Sequence, residues 1–134
     1  MTMSDYTVRA RHTGALSFEV SNGRATLGTE WNPADGSWLA TELFLAGVGA
    51  CMLATLVDYA QHNNIDVTGA GVTVSAESAT RPVRMSEINV TYELPEGLSQ
   101  AHVDALVRAG DRCKVHNTIA AHPTFSVSAT TRTP

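Results

Sequence analysis

The feature that most constrains the fold is a long apolar segment in the middle of the chain. Every residue from 43 to 54 is apolar or glycine, and charged side chains appear only outside this stretch. The flanking residues extend it into a predicted helix over 39–62, for which Asp35 or Ser37 could supply the N-terminal cap. A helix that is apolar on all sides is normally buried on all sides. We therefore expect this helix at the centre of the fold.

Small residues inside the predicted helix indicate close packing. Gly47 and Gly49 lie in its middle, followed by Ala50. Each mid-helix glycine costs about 1 kcal/mol relative to alanine. We therefore expect a neighbouring part of the structure to approach the helix closely at these positions.

Alternating apolar and polar residues predict strands on both sides of the helix. A tight-turn signal at Ser21-Asn22-Gly23 joins two of them, and Ser99 has the character of a cap for a second helix. The predicted strands cover 6–11, 16–20, 24–29, 72–76, 88–94 and 125–129, and the second helix covers 99–112. This order, β-β-β-α-β-β-α-β, predicts an α+β fold with an antiparallel sheet in a single domain, 1–134. The long helix has more apolar surface than one small sheet can cover, which favours a homodimer.

Charge and composition exclude several classes of function. The net charge is −4, the only lysine is Lys114, and no run of basic residues is present. This argues against nucleic acid and against an anionic membrane surface as partners. The segment 43–57 is short for a bilayer span, and the N-terminal residues lack the pattern of a secretory signal. We therefore expect a cytoplasmic protein, whose thiols are kept reduced.

The two cysteines, Cys51 and Cys113, lie in contrasting surroundings. Cys51 belongs to the most apolar stretch, so it is expected to be buried, and its plainest interpretation is a small core residue. Cys113 lies in the most charged neighbourhood, 111–116, where Arg112 and Lys114 would favour a thiolate. The alternative for Cys113 is an exposed, incidental thiol.

Two motifs around these cysteines resemble those of a known family. Residues 41–51 read Thr-Glu-Leu-Phe-Leu-Ala-Gly-Val-Gly-Ala-Cys, and residues 112–119 read Arg-Cys-Lys-Val-His-Asn-Thr-Ile. Both resemble the motifs of the OsmC/Ohr family, the osmotically inducible protein C and organic hydroperoxide resistance proteins. The separation of 62 residues (113 − 51) suits that family. The second motif is similar to the OsmC-like branch, although Lys114 stands where proline is common.

This resemblance implies a fold and an activity. It implies the OsmC-like fold, with antiparallel sheets packed around a long buried helix in an intertwined homodimer. It also implies a thiol-dependent peroxidase that reduces organic hydroperoxides and, less well, hydrogen peroxide. Cys51 would be the peroxidatic cysteine and Cys113 the resolving cysteine, with a dithiol as the external reductant. No metal, haem or flavin cofactor is implied.

The resemblance further implies two helper residues. A buried thiolate needs a positive partner, because burial disfavours the charged form. In the family this partner is an arginine from the N-terminal region, held by the motif glutamate. Glu42 matches that glutamate by position, and Arg24 is the first choice for the arginine, with Arg9 and Arg11 as competitors.

The spacing of Glu42 and Cys51 leaves their relation open. They are nine residues apart (51 − 42), which places them on nearly opposite faces of a straight helix at about 100° per residue. Glu42 could precede the regular helix, or the two could be linked by the arginine or by a second subunit. The plain alternative is that Glu42 is a carboxylate in the first helical turn, favoured there by the helix dipole.

A second class of function remains open beside the peroxidase. The same scaffold could be a non-catalytic protein that binds a small apolar ligand. In either case an apolar pocket is expected, with ordinary core packing as the alternative for each candidate lining residue. The candidates are Phe44, Met52, Leu56 and Trp31 or Trp38.

Overall fold

A computed structural model describes residues 4–131 of the chain. Residues 1–3 lie outside this range. They begin the N-terminal segment for which the sequence predicted no secretory signal. The chain forms two compact units: the first ends at Gly47 and the second begins at Val48.

The first unit contains an antiparallel sheet of three strands. In order they are β1 (Arg9–Gly14), β2 (Ser17–Ser21) and β3 (Thr26–Glu30). The predicted turn joins β2 to β3, where the Asn22 side chain accepts hydrogen bonds from the N–H groups of Arg24 and Ala25, each at 2.9 Å. Gly23 takes a positive φ of 88° in this turn, a conformation that glycine adopts at no steric cost. The three predicted strands of this unit are therefore confirmed.

The long predicted helix is α1 (Ala40–His62), which begins in the first unit and continues through the second. Asp35 and Ser37, the predicted caps, lie too far upstream of its first residue to fill that position. Instead the Glu42 carboxylate accepts a hydrogen bond from the backbone N–H of Leu39 at 2.8 Å. This is one half of a capping box, in which a side chain in the first turn reaches back to the residue before the helix.

The expectation that α1 is buried on all sides is wrong for the single chain. Its buried residues form one stripe with a spacing close to four residues: Val48, Gly49, Met52, Leu56 and Ala60. Phe44 keeps 43% of its surface exposed, and Ala50 is also exposed. By length and composition alone α1 could span a membrane, but core helices of soluble folds share these properties.

In the second unit the stripe of α1 packs against a hairpin of β4 (Gly71–Ala79) and β5 (Arg84–Glu93). A Cβ added at Gly49 would lie 2.8 Å from a methyl carbon of Val74, which is closer than real Cβ atoms come to their neighbours. The close approach predicted at the helix glycines is therefore confirmed at Gly49. At Gly47 no described atom lies within 4 Å of an added Cβ, apart from its chain neighbours and the backbone of the same helical turns.

The second unit continues with α2 (Gln100–Gly110) and α3 (Lys114–Ala120). Ser99 caps α2 as predicted, since its side chain accepts a hydrogen bond from the N–H of His102 at 3.1 Å. The first seven elements thus follow the predicted order. The predicted last strand at 125–129 is wrong for the single chain: residues 122–131 form neither helix nor strand. A strand needs a partner edge, and none pairs with this segment among the described residues.

The core of the second unit consists of two clusters of buried side chains. One contains Leu56, Ala60, Ile65, Val67 and Leu106. The other contains Val48, Met52 and Cys113. The ring of Tyr92, on β5, packs against both clusters.

Candidate active site

Cys51 lies in the middle of α1, beside the buried stripe rather than on it. Its side chain is partly exposed and packs against the cluster of Val48, Met52 and Cys113. Its carbonyl oxygen accepts a hydrogen bond from the Thr55 hydroxyl at 2.8 Å, one helical turn further along. Cys51 is therefore held in regular helix geometry and is partly exposed.

Cys113 lies in the short junction between α2 and α3. It is the N-terminal cap of α3, and its sulfur accepts a hydrogen bond from the backbone N–H of His116 at 3.2 Å. Only 1% of its surface is exposed. The predicted contrast is thus reversed, because Cys113 is the buried cysteine and Cys51 the accessible one. The charged residues beside Cys113 in sequence are exposed, whereas its own side chain turns inward between α1 and β5.

The Cys51 side chain packs against the buried cluster that contains Cys113, and the two thiols interact. Burial raises the pKa of the Cys113 thiol, and its interaction with Cys51 raises the pKa further. The backbone N–H groups of His116 and Val115 act in the opposite direction. The expectation that neighbouring cations make Cys113 a favoured thiolate is therefore wrong. The Cys113 thiol therefore holds its proton more firmly than an ordinary cysteine does.

Tyr92 is a member of this environment that the sequence patterns did not single out. Its hydroxyl is buried, and no residue in the described range 4–131 supplies it a hydrogen-bond partner. The hydroxyl occupies the space that a side chain at Gly110 would take. The sequence did contain a signal for Tyr92. Two residues after Val90, it falls on the same, apolar face of the predicted strand, and a tyrosine hydroxyl that is buried there needs a hydrogen-bond partner.

Glu42 and the candidate arginines belong to the first unit, whereas both cysteines belong to the second. Glu42 is the third residue of α1, so the possibility that it precedes the regular helix is wrong. Arg24 is exposed in the turn between β2 and β3. Arg9 and Arg11 lie on β1 and line a shallow cavity together with Glu19 and Ser21. The activation of Cys51 by an arginine, and the choice of Arg24 for that role, stay predictions.

The remaining candidates separate into core and surface residues. Met52 and Leu56 are core residues, with 4% and 0% of their surfaces exposed. Phe44, Trp31 and Trp38 are each at least 43% exposed. Within residues 4–131, no three side chains of His, Cys, Asp or Glu come together to hold a metal ion.

Comparison with known proteins connects this geometry to a family. The family model described as OsmC-like protein matches residues 34–128, which include both cysteines. No curated protein matches the sequence.

Solved structures share the fold at low sequence identity. An OsmC like protein from Mycoplasma pneumoniae has a TM-score of 0.80 and 22% identity, covering 90% of this chain and 91% of its own. An organic hydroperoxide resistance protein from Elizabethkingia anophelis has a TM-score of 0.72 and 18% identity, covering 90% and 91%. The organic hydroperoxide resistance protein OhrB of Bacillus subtilis has a TM-score of 0.62 and 21% identity, covering 89% and 93%. Because the family match spans well over half of the residues and includes both cysteine motifs, this chain belongs to the OsmC-like family.

Proposed function

We propose that this protein is a thiol-dependent peroxidase that reduces organic hydroperoxides and, less well, hydrogen peroxide. The observation that carries the proposal is the proximity of the two cysteines: Cys51 packs against the buried cluster that contains Cys113, and of the two only Cys51 is partly exposed. Family membership supports a redox role, and two of the similar structures are named organic hydroperoxide resistance proteins.

The proposed cycle begins at Cys51. Its thiolate attacks one peroxide oxygen, the O–O bond breaks, and the alkoxide leaves as an alcohol after taking up a proton. The sulfur is now a sulfenic acid, which a second peroxide could oxidise irreversibly. The Cys113 thiol attacks that sulfur instead, so that a disulfide forms and the hydroxyl leaves as water. An external dithiol then restores both thiols through two exchange reactions and becomes a disulfide itself.

The difference in burial supports this division of roles. Cys51 is partly exposed, so that a substrate can approach it, whereas Cys113 is almost fully covered. The raised pKa keeps Cys113 protonated before the sulfenic acid forms next to it. Cys113 therefore does not compete for peroxide, and it belongs to the buried cluster against which Cys51 packs.

Further parts of the proposal rest on the family resemblance. Glu42 would hold an arginine that stabilises the Cys51 thiolate, with Arg24 as the first candidate and Arg9 and Arg11 as alternatives. The protein would act in the cytoplasm as a homodimer, with a cellular dithiol as reductant.

The experiment is a peroxide-consumption assay with cumene hydroperoxide and a dithiol. We expect turnover by the wild type and none by Cys51→Ser. Cys113→Ser should react once and then be overoxidised, because its sulfenic acid has no resolving thiol. Mass spectrometry after one equivalent of peroxide should show the loss of two hydrogens in the wild type. Undiminished turnover by Cys51→Ser would refute the proposal, and an unchanged mass with a retained apolar ligand would favour a binding protein.

A further inference from the structure

The Tyr92 hydroxyl is a buried polar group for which residues 4–131 supply no hydrogen-bond acceptor. It lies at the inner end of a side chain that comes from β5 and packs against Cys113 and its neighbours. Its oxygen is shielded from solvent, and no described residue hydrogen-bonds to it. A buried hydroxyl without a partner is unfavourable. Its presence therefore suggests that an acceptor arises in another state of the protein.

Gly110 defines where this hydroxyl lies. A Cβ at Gly110 would overlap the Tyr92 hydroxyl oxygen and would lie 3.0 Å from the ring carbon that bears it. The hydroxyl thus rests on the C-terminal end of α2, three residues before Cys113 in sequence. The nearby charged groups that act on it are Asp111 and Cys113. Of these two, Cys113 belongs to the same buried cluster, whereas Asp111 is exposed.

Tyrosine at this position stays protonated throughout the range in which thiols react. Burial, and then the charges of Asp111 and Cys113, raise the pKa of Tyr92 to about 12. The hydroxyl is therefore always able to donate a hydrogen bond. The sulfur of Cys113 already accepts a hydrogen bond from the backbone N–H of His116, so the tyrosine hydroxyl would act in concert with that donor.

Building on the function proposed above, we propose that the Tyr92 hydroxyl donates a hydrogen bond to the Cys113 sulfur whenever that sulfur carries negative charge. Charge arises there when the external dithiol reduces the disulfide. The dithiol thiolate attacks the accessible sulfur of Cys51, the S–S bond breaks, and its electron pair remains on Cys113 as a thiolate. Tyr92 stabilises this leaving group and keeps its own proton, while Cys113 later takes a proton from solvent or from the reductant.

The first test measures the ionisation of Cys113 directly and needs no peroxide. In a Cys51→Ser background, the single remaining cysteine is labelled at Cβ with carbon-13 and titrated by NMR. Cys51 and Tyr92 are the titratable groups that interact with Cys113 from α1 and β5. Adding Tyr92→Phe is expected to raise the pKa of Cys113 by about one unit, because the thiolate loses a hydrogen bond.

A matched control removes a different tyrosine hydroxyl. Tyr59 lies on α1, is partly buried like Tyr92, and packs against the cluster that lacks Cys113. Tyr59→Phe in the same background is expected to leave the pKa of Cys113 unchanged. A Cys113 pKa that is unchanged or lowered in Tyr92→Phe overturns the proposal.

The second test measures the disulfide step in the protein with both cysteines. The disulfide is formed with diamide, and its reduction by dithiothreitol is followed by stopped flow. Tyr92→Phe is expected to slow reduction roughly threefold or more, because a leaving thiol of higher pKa leaves more slowly. Its melting temperature should be equal to or above that of the wild type, because the variant loses only an unpaired hydroxyl. Equal reduction rates in the two proteins would overturn the role of Tyr92.

The two proposals fail in different ways. If the wild type consumes no peroxide, the peroxidase function is wrong, but both thiol measurements still decide the role of Tyr92. If peroxide is consumed and Tyr92→Phe matches the wild type in both thiol measurements, only the role of Tyr92 is wrong.

Discussion

Cys113 and Tyr92 share one buried environment, and Cys113 acts on the ionisation of Tyr92. Burial is the main reason why both keep their protons, and the charge of Cys113 further disfavours ionisation of Tyr92. Cys51, which is partly exposed, completes this group from α1. At the scale of residues, the chemistry of the site therefore depends on which of the three side chains, Cys51, Cys113 and Tyr92, is ionised.

Stability should fall as the solution becomes alkaline. The folded pKa of Cys113 lies above the ordinary 9.0, and that of Tyr92 lies near 12 against an ordinary 10.0. Above a pH of about 9 the unfolded chain loses protons that the folded chain retains, so the free energy of unfolding decreases as pH rises. Urea unfolding between about pH 8 and pH 11 should show this decrease, with a shallower slope in Cys113→Ala/Tyr92→Phe. Parallel slopes in the two proteins would contradict the assignment.

Gly110→Ala should destabilise the protein through a clash with Tyr92. The added methyl group would overlap the hydroxyl and lie 3.0 Å from the adjacent ring carbon. Overpacking of this kind costs about 1–3 kcal/mol, measurable as a shift of the urea midpoint. Gly47→Ala is the control, because no described atom lies within 4 Å there, and it should stabilise the helix by up to about 1 kcal/mol. Adding Tyr92→Phe should recover part of the loss at Gly110, and a loss that this change leaves untouched would argue against the clash.

At the scale of elements, α1 supports both the fold and the candidate site. Its buried stripe packs on β4 and β5, and Cys51 lies at the border of that stripe. Its first turn is capped by the Glu42 carboxylate, which accepts a hydrogen bond from the backbone N–H of Leu39. This contact gives Glu42 a structural role that is independent of any arginine.

The two roles of Glu42 can be separated by substitution. Glu42→Gln retains an acceptor for the Leu39 N–H, since glutamine also forms capping boxes, so stability should remain within about 0.5 kcal/mol of wild type. Glu42→Ala removes the acceptor and should cost about 1 kcal/mol. If Glu42 also orients an arginine, both variants should lower kcat/KM for hydroperoxide, by roughly tenfold or more. Full activity in Glu42→Gln would leave only the capping role.

At the scale of the whole molecule, much apolar surface lacks a partner within the single chain. None of the described hydrophobic residues before Val48 is buried. Phe44 on α1 is 43% exposed, and in the last segment Phe125 and Val127 are 83% and 89% exposed. Exposed apolar surface of this extent is typical of protein interfaces. If the protein is a homodimer, as predicted, a second copy of the chain covers this apolar surface.

Light scattering should therefore give twice the chain mass of 14.2 kDa. Phe125→Asp should lower this mass toward that of one chain or increase its dependence on concentration, because a charge cannot be buried cheaply. Thr124→Asp adds the same charge to the neighbouring exposed residue and should leave the mass unchanged. A wild-type mass of 14.2 kDa would show that the apolar surface has another purpose.

The local features of this protein follow from its amino-acid sequence alone. The apolar run predicted α1, the Asn22-Gly23 turn predicted a hairpin, and Ser99 predicted the start of α2, because periodicity, turns and caps depend on residues close in sequence. The motifs around Cys51 and Cys113 likewise indicated the family, because each motif is a property of consecutive residues.

The burial of Cys113 and the surroundings of both cysteines depend instead on tertiary contacts. Cys113 is covered because α1, β5 and the junction after α2 meet there, and charged sequence neighbours carry no information about that meeting. The positions of the Tyr92 hydroxyl over Gly110 and of Cys113 against Cys51 also depend on contacts between distant segments. For the same reason the alternating pattern at 125–129 did not produce a strand: a pattern describes one chain segment, whereas pairing requires an edge that another segment supplies.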